Sequence, residues 1–214
     1  MFGGARLHPL SEGALWWPAR GALLVADLHL EKASAYARRG QMLPPYDSIE
    51  TLRRLAAVAD ATGARAVWCL GDSYHDASGT ARLDPAARAL LEQMQSRLEW
   101  TWIVGNHDPA IVGVGGRVLA EVRIDGITLR HEACAGAYEP EISGHFHPKL
   151  RIATRGRSVA RRCFVMTACK LVLPAFGALA GGLDAADPAI ARAVGRPAAA
   201  VVPALGRLLH FQLA

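Results

Sequence analysis

Long apolar runs are missing from this chain, as are paired cysteines and, over one stretch of its second half, any acidic residue. No uninterrupted hydrophobic segment approaches the roughly 20 residues that span a bilayer, although hydrophobic residues make up 51% of the 214. Much of that content is alanine, so it describes a packed core and not a membrane span. The N-terminus has no basic start followed by an apolar region, which argues against a secretory leader. The four cysteines (Cys69, Cys134, Cys163, Cys169) form no Cys-x-x-Cys pair. Reduced thiols are favoured over a disulfide framework, and a soluble cytoplasmic protein is the expectation. No internal repeat or long linker divides the chain, so one domain over 1–214 is expected.

The missing acids lie between Lys149 and Arg162, where Lys149, Arg151, Arg155, Arg157, Arg161 and Arg162 stand together in a chain of net charge +5. This is compatible with a polyanionic partner. It is equally compatible with an exposed hairpin kept soluble by its charge.

What the chain does have is a series of apolar runs that each stop in a polar residue. Ala66 to Leu70 leads into Gly71-Asp72, and Ala22 to Ala26 leads into Asp27-Leu28-His29. Thr101 to Val104 leads into Gly105-Asn106-His107-Asp108, and a later loop carries Gly144-His145-Phe146-His147. Such runs read as buried strands, whose ends form the rim where open α/β sheets bind ligands.

Between them, Asp47 reads as the N-cap of a helix with Ile49, Leu52, Leu55, Ala56 and Ala59 at helical spacing, closed by Gly63. A second helix is expected from Asp84, with Pro85 in its first turn and Ala86, Leu90, Leu91, Met94 and Leu98 as its buried stripe. Strand, helix, strand in this order implies parallel pairing. Leu30 to Arg39 reads as a loop or short helix. Further on, shorter β units are expected: Val118 to Ile124 with Ile127 to Arg130 around Asp125-Gly126, Lys149 to Thr154 with Ser158 to Thr167, and a final strand Arg207 to Leu213. Trp16 and Trp17 read as packing residues, and His8 and His210 as surface residues.

Asp27, His29, Asp72, Asn106, His131, His145 and His147 therefore form a candidate constellation. Carboxylate, amide and imidazole without thiolate suit divalent ions such as Mn²⁺, Fe²⁺ or Zn²⁺. A pair of ions about 3.5–4 Å apart can share one carboxylate, for which Asp72 is the choice, and can activate a water against a phosphoester. Singly, each motif has a plainer reading: Gly-Asp is often a turn, and a lone histidine is often structural. Together they call for one explanation.

Asp-x-His, Gly-Asp, Gly-Asn-His-Asp, a lone His and Gly-His-x-His, in this order between Asp27 and His147, resemble the calcineurin-like metallophosphoesterases. The resemblance implies a four-layer α/β sandwich, two mixed β-sheets flanked by helices, with ligands on loops at one end. It implies that Asp27, His29, His147 and Asp72 hold one metal and Asn106, His131, His145 and Asp72 the other. It further implies that His107 acts on the leaving oxygen, oriented by Asp108, while a metal-bridging hydroxide attacks.

Asp27 to Lys32, Gly71 to Asp76, Leu129 to Glu132, Gly144 to Pro148 and Leu173 to Gly182 resemble, more narrowly, the bacterial PdeM-like subfamily. Those proteins are DNA-damage-response endonucleases or phosphodiesterases associated with an ATP-dependent DNA ligase, a helicase and a second nuclease. The narrower resemblance implies a Mn²⁺-dependent phosphodiesterase acting on DNA, with Lys32, Arg38, Arg39, Arg155 and Arg157 as phosphate contacts. His75 either reaches substrate or, with Asp76, stabilises its own loop. The competing expectations are a small-molecule phosphatase or cyclic-nucleotide phosphodiesterase on the same centre, and a scaffold that kept the fold and lost catalysis.

Overall fold

In a computed structural model that describes residues 1–214 apart from 112, 155, 205 and 214, and only the backbone at 154, the chain forms four layers. It begins with β1 (His8–Pro9), β2 (Leu15–Trp17) and β3 (Ala22–Val25), then α1 (Lys32–Ala37) and α2 (Asp47–Thr62). β4 (Ala66–Leu70), α3 (Gly79–Arg82), α4 (Pro85–Gln95), β5 (Glu99–Ile103) and β6 (Arg117–Leu119) follow. These six strands make one sheet in sequence order, antiparallel through β3 and parallel from β3 to β6.

The second sheet takes in β7 (Val122–Ile124), β8 (Ile127–Leu129) and β9 (Glu141–Ser143), and later β12 (Phe164–Met166) and β13 (Lys170–Val172). β14 (Ala198–Ala204) and β15 (Arg207–Leu213) complete it after α5 (Pro188–Val194), in the order β15-β14-β12-β13-β9-β8-β7. It too is mixed: β8, β9 and β13 run parallel, the rest antiparallel. β10 (Lys149–Thr154) and β11 (Arg157–Arg162) pair with each other as a separate hairpin.

Strand alternation explains the layering. Leu23, Val25, Val67, Cys69, Trp100 and Trp102 face α2 and α4, where Leu52, Leu55, Leu91 and Met94 meet them. The alternate residues Ala22, Leu24, Trp68, Leu70 and Ile103 face the other sheet and pack on Ile127, Leu129, Ile142, Phe164 and Leu171. The outer face of the second sheet, through Val165, Val172, Ala200 and Val202, is covered by Ile190 and Val194 of α5 and by Leu150. Among the described residues no helix is long and apolar enough to cross a membrane, and all four cysteines are free.

Four sequence expectations need correction. Asp47 is the first helical residue of α2 and not its N-cap, which is Tyr46; its carboxylate accepts the Ala33 N–H (3.0 Å), tying α1 to α2. In α4, Asp84 does cap, accepting from Ala86 and Ala87 at 2.9 and 3.2 Å; Leu91, Met94 and Leu98 are buried and Leu90 packs against them as expected, but Ala87 and not Ala86, which is exposed, completes the stripe. Val118 to Ile124 is not one strand. Its first part pairs with β5 and its second with β8, because the chain crosses between sheets at Ala120-Glu121. Ser158 to Thr167 likewise divides at buried Cys163, the hairpin ending where β12 enters the second sheet.

Candidate metal centre

Three parallel strands of the first sheet and two of the second end at the same place. The ends of β3 and β4 are held together beyond the sheet by the Asp27 and His29 N–H groups, which donate to the Gly71 and Asp72 carbonyls at 3.2 and 2.9 Å. β5 delivers Asn106, His107 and Asp108, β8 delivers His131, and β9 delivers His145 and His147.

The backbone is bent to aim these side chains. Among the described residues seven non-glycines have positive φ, and five are Asp27 (54°), His29 (45°), Asp72 (46°), His145 (73°) and His147 (49°). Each such conformation costs of order 1–3 kcal/mol, and concentration in one constellation marks a site that the surrounding fold must enforce. Two glycines make room for it. A Cβ at Gly71 would overlap the His131 ring, and one at Gly105 would overlap the carboxylate and backbone nitrogen of Asp72.

The donors fall into two groups. Asp27, His29 and His147 offer ligand atoms within 4.8 Å of one another, as do Asp72, His131 and His145. In the first, His147 Nε2 lies 3.2 Å from His29 Nε2 and 3.3 Å from Asp27 Oδ1. In the second, His131 Nε2 lies 2.8 Å from Asn106 Oδ1, 3.1 Å from His145 Nδ1 and 3.5 Å from Asp72 Oδ2, and Asn106 Oδ1 is 3.1 Å from His145 Nδ1. Donors held at about 2.1 Å by one ion stand about 3.0 Å apart at right angles and about 3.4 Å apart at the tetrahedral angle. Both groups have that spacing, and the donor chemistry fits divalent cations.

The protein sets the tautomers that such binding needs. His131 Nδ1–H donates to the Leu70 carbonyl at 3.2 Å, leaving the Nε2 lone pair facing the other donors. His29 is held neutral, its pKa pushed down to about 2 by burial and then by His147 and His107. Among the described residues its buried Nδ1 has no protein partner.

No family model and no curated protein matches this chain. Among solved structures, the crystal structure of Pseudomonas putida nuclease MPE is 30% identical, with a TM-score of 0.74, over 98% of this chain and 97% of that one. The chain belongs to the metallophosphoesterase family of that nuclease. The four layers observed here are the metallophosphoesterase sandwich.

In this metallophosphoesterase the centre is open, with the His107 side chain 41% exposed. His107 Nδ1–H donates to the His75 carbonyl (2.9 Å), so Nε2 is the free nitrogen, 4.0 Å from Asp72 Oδ2. The expectation that Asp108 orients His107 is corrected. The Asp108 carboxylate accepts from Gly105 N–H (2.9 Å) and Tyr74 N–H (3.0 Å), closing the turn from the buried side, and burial raises its pKa to about 6. His107 is oriented by a backbone carbonyl, and its own N–H donates to Asp72 Oδ1 at 2.9 Å.

His75 stacks on His107 (centroids 5.3 Å, 28°), and its pKa is lowered to about 4 by burial and then by Lys32 and His107. His29, His75 and His107 also bring their ring nitrogens within 4.8 Å of one another. Asp76 does hold the loop, gripping Arg82 with both oxygens at 2.9 Å.

The basic candidates are less converged. Lys32 lies over the Tyr36 ring and within the field of His29 and His75. Arg39 also acts on His75, while exposed Arg38 contacts Ser78 at 3.4 Å. Arg157 is exposed on the hairpin, and Arg155 lies outside the described residues. The sequence reading missed Glu132, whose carboxylate stands 3.7 Å from His145 Nε2. The Leu129 to Glu132 motif carried it, but one acid after a histidine has no spacing that signals a role.

Proposed function

We propose that this chain is a two-metal phosphodiesterase that cleaves nucleic acid, DNA by preference. The observation that carries the reading is the convergence of seven O and N donors from five strand ends into two ion-sized groups. The nuclease identity of its structural relative supports the substrate class. Asp27, His29 and His147 would hold one ion and Asn106, His131 and His145 the other, with Asp72 shared. Mn²⁺ is the ion chosen, with Fe²⁺ or Zn²⁺ as competitors for the same donors. Bound there, two divalent ions supply a water nucleophilic at neutral pH and neutralise phosphoryl charge.

The chain's own residues do the rest. His107, its Nδ1–H held by the His75 carbonyl, acts as the imidazolium, giving the proton on Nε2 to the departing oxygen and becoming neutral, and Asp108 keeps the turn beneath it closed. His75, stacked on His107, and Lys32 stand where an adjacent phosphate would lie, with Arg38, Arg39 and Arg157 further along. The open rim admits a polymer. By the narrower resemblance the setting is DNA repair beside an ATP-dependent DNA ligase, a helicase and a second nuclease, which co-purification from cells tests.

The purified protein should contain or bind two Mn²⁺ per chain and hydrolyse both bis-p-nitrophenyl phosphate and DNA, each lost in Asp72→Ala. Retained turnover in that variant would remove the mechanism. Preference for p-nitrophenyl phosphate over the diester would favour a phosphatase instead.

A further inference from the structure

The base of the basic hairpin is built in a way that is unfavourable for folding. Lys149 and Arg162 are directly opposite each other in the antiparallel β10–β11 register, so two like charges face one another across the pair. Such pairs destabilise a sheet. Both residues are half-buried, and among the described residues neither has a carboxylate within 4.0 Å. Solubility does not require this arrangement, since the exposed Arg157 and Arg161 on the same hairpin already supply surface charge.

Both side chains point to the same loop. Arg162 Nη2 donates to the Gly177 carbonyl at 2.7 Å and Lys149 Nζ to the Ala180 carbonyl at 3.4 Å. That loop, Phe176 to Gly182, has no charged or polar side chain. It spans the first donor group: Gly177 N–H donates to the Asp27 carbonyl (3.2 Å), and Gly182 lies against the His147 carbonyl. Arg54 pins it from α2, stacking on the Phe176 ring at 4.5 Å and donating to that residue's carbonyl, with Glu50 and Glu12 in its field. Lys149 and Arg162 have no such compensation. Burial, then Arg162, Arg151 and Lys32, lower the Lys149 pKa; burial and Arg54 lower that of Arg162. A guanidinium has five N–H donors and an ammonium three, so each bond to the loop leaves donors for an anion.

We propose that Lys149 and Arg162 form a subsite for a backbone phosphate of the polynucleotide other than the one being cleaved. This rests on the proposed nuclease function and extends it by naming where the strand continues, along the Asp27/His147 side and over the Phe176–Gly182 loop. A phosphate seated there resolves the like-charge pair. In the absence of substrate the pair is tolerated because Arg162 and Lys149 each share charge with a loop carbonyl.

The test is a fluorescence-anisotropy titration of a labelled single-stranded oligodeoxynucleotide in EDTA over a salt series, so that catalysis plays no part. Lys149→Gln and Arg162→Gln should each weaken binding about tenfold and lower the log–log salt slope by roughly 0.7. Lys149→Arg and Arg162→Lys should keep the slope. With Mn²⁺ present, the ratio of kcat/KM for the oligonucleotide to that for bis-p-nitrophenyl phosphate should fall by the same factor in the glutamine variants. A purely structural pin would change melting temperature and leave the salt slope alone. Should a glutamine variant fail to fold, Lys149→Met, which keeps the apolar stem, serves the same purpose. Affinity and slope unchanged in folded variants overturn the subsite. Binding as expected without cleavage of either substrate sinks the nuclease reading and keeps the subsite; cleavage of both with an unchanged ratio does the reverse.

Discussion

Gly105→Ala is the sharpest test of how closely the backbone must approach the donors. A methyl there would overlap Asp72 Oδ1 and the Asp72 backbone nitrogen, and would sit 3.0 Å from Asp108 Oδ1. Ordinary carbon contacts begin near 3.5 Å, so relief requires moving Asp72 by about 1 Å. Asp72 cannot move alone, because its Oδ1 accepts the His107 N–H and its Oδ2 faces His131. A displacement of about 1 Å in a positioned group costs about 100-fold in rate, or about 2.7 kcal/mol of transition-state stabilisation. The assay is kcat/KM on bis-p-nitrophenyl phosphate with Mn²⁺, with metal content and a thermal melt on the same sample. Expected are a folded protein, at least about 100-fold less active, with weakened occupancy of the ion that Asp72 and His131 share. Wild-type activity at full metal content would refute the claim that this glycine exists to admit Asp72.

Other parts of the molecule give three more expected outcomes. His107→Gln should cost roughly 100- to 10,000-fold on DNA, whose leaving alkoxide needs a proton, and much less on bis-p-nitrophenyl phosphate, whose leaving group does not; equal losses on both would remove the proton-donor role. Lys170, buried, bonds Glu141 at 2.6 Å and the Cys134 carbonyl at 2.5 Å; Lys170→Met should cost up to about 3 kcal/mol, because Glu141 keeps the Cys134 N–H at 2.9 Å and Arg130 at 3.6 Å, and Lys170→Met/Glu141→Gln, which keeps an acceptor for that N–H, should recover part of it in denaturant unfolding. The Asp76 pKa is lowered to about 2 by its hydrogen bond to Arg82, so its contribution is present above the unfolded value near 3.8 and is lost as pH falls through about 2. Asp76→Asn should therefore be less stable than wild type near neutrality, by about 1 kcal/mol or less after solvent screening, with the two melting curves converging in acid.

Much of the centre was legible along the chain because each donor comes after an apolar run or a Gly that marks a strand end. Asp27, Asp72 and Asn106 could be placed this way, and Gly63 and Asp84 at their helix ends as well. What local pattern could not show was partner choice. Asp47 has the residue type of a cap, yet its carboxylate serves α1, and Asp108 stands next to His107 in sequence while bonding Gly105 and Tyr74. The crossing at Ala120-Glu121 is equally invisible, since Val118 and Ile124 alternate as one strand would while belonging to different sheets.

By itself the order of residues determined which chemistry was available: carboxylates, an amide and imidazoles at successive strand ends, with no thiolate among them. Only the folded chain showed how closely these groups approach one another, that backbone carbonyls set the tautomers of His131 and His107, and that Lys149 is the residue facing Arg162. The reason is physical. Residue type and spacing act over a few neighbours, whereas the contacts within the centre join residues 14 to 118 positions apart in sequence, brought together only once two sheets close over a shared apolar core.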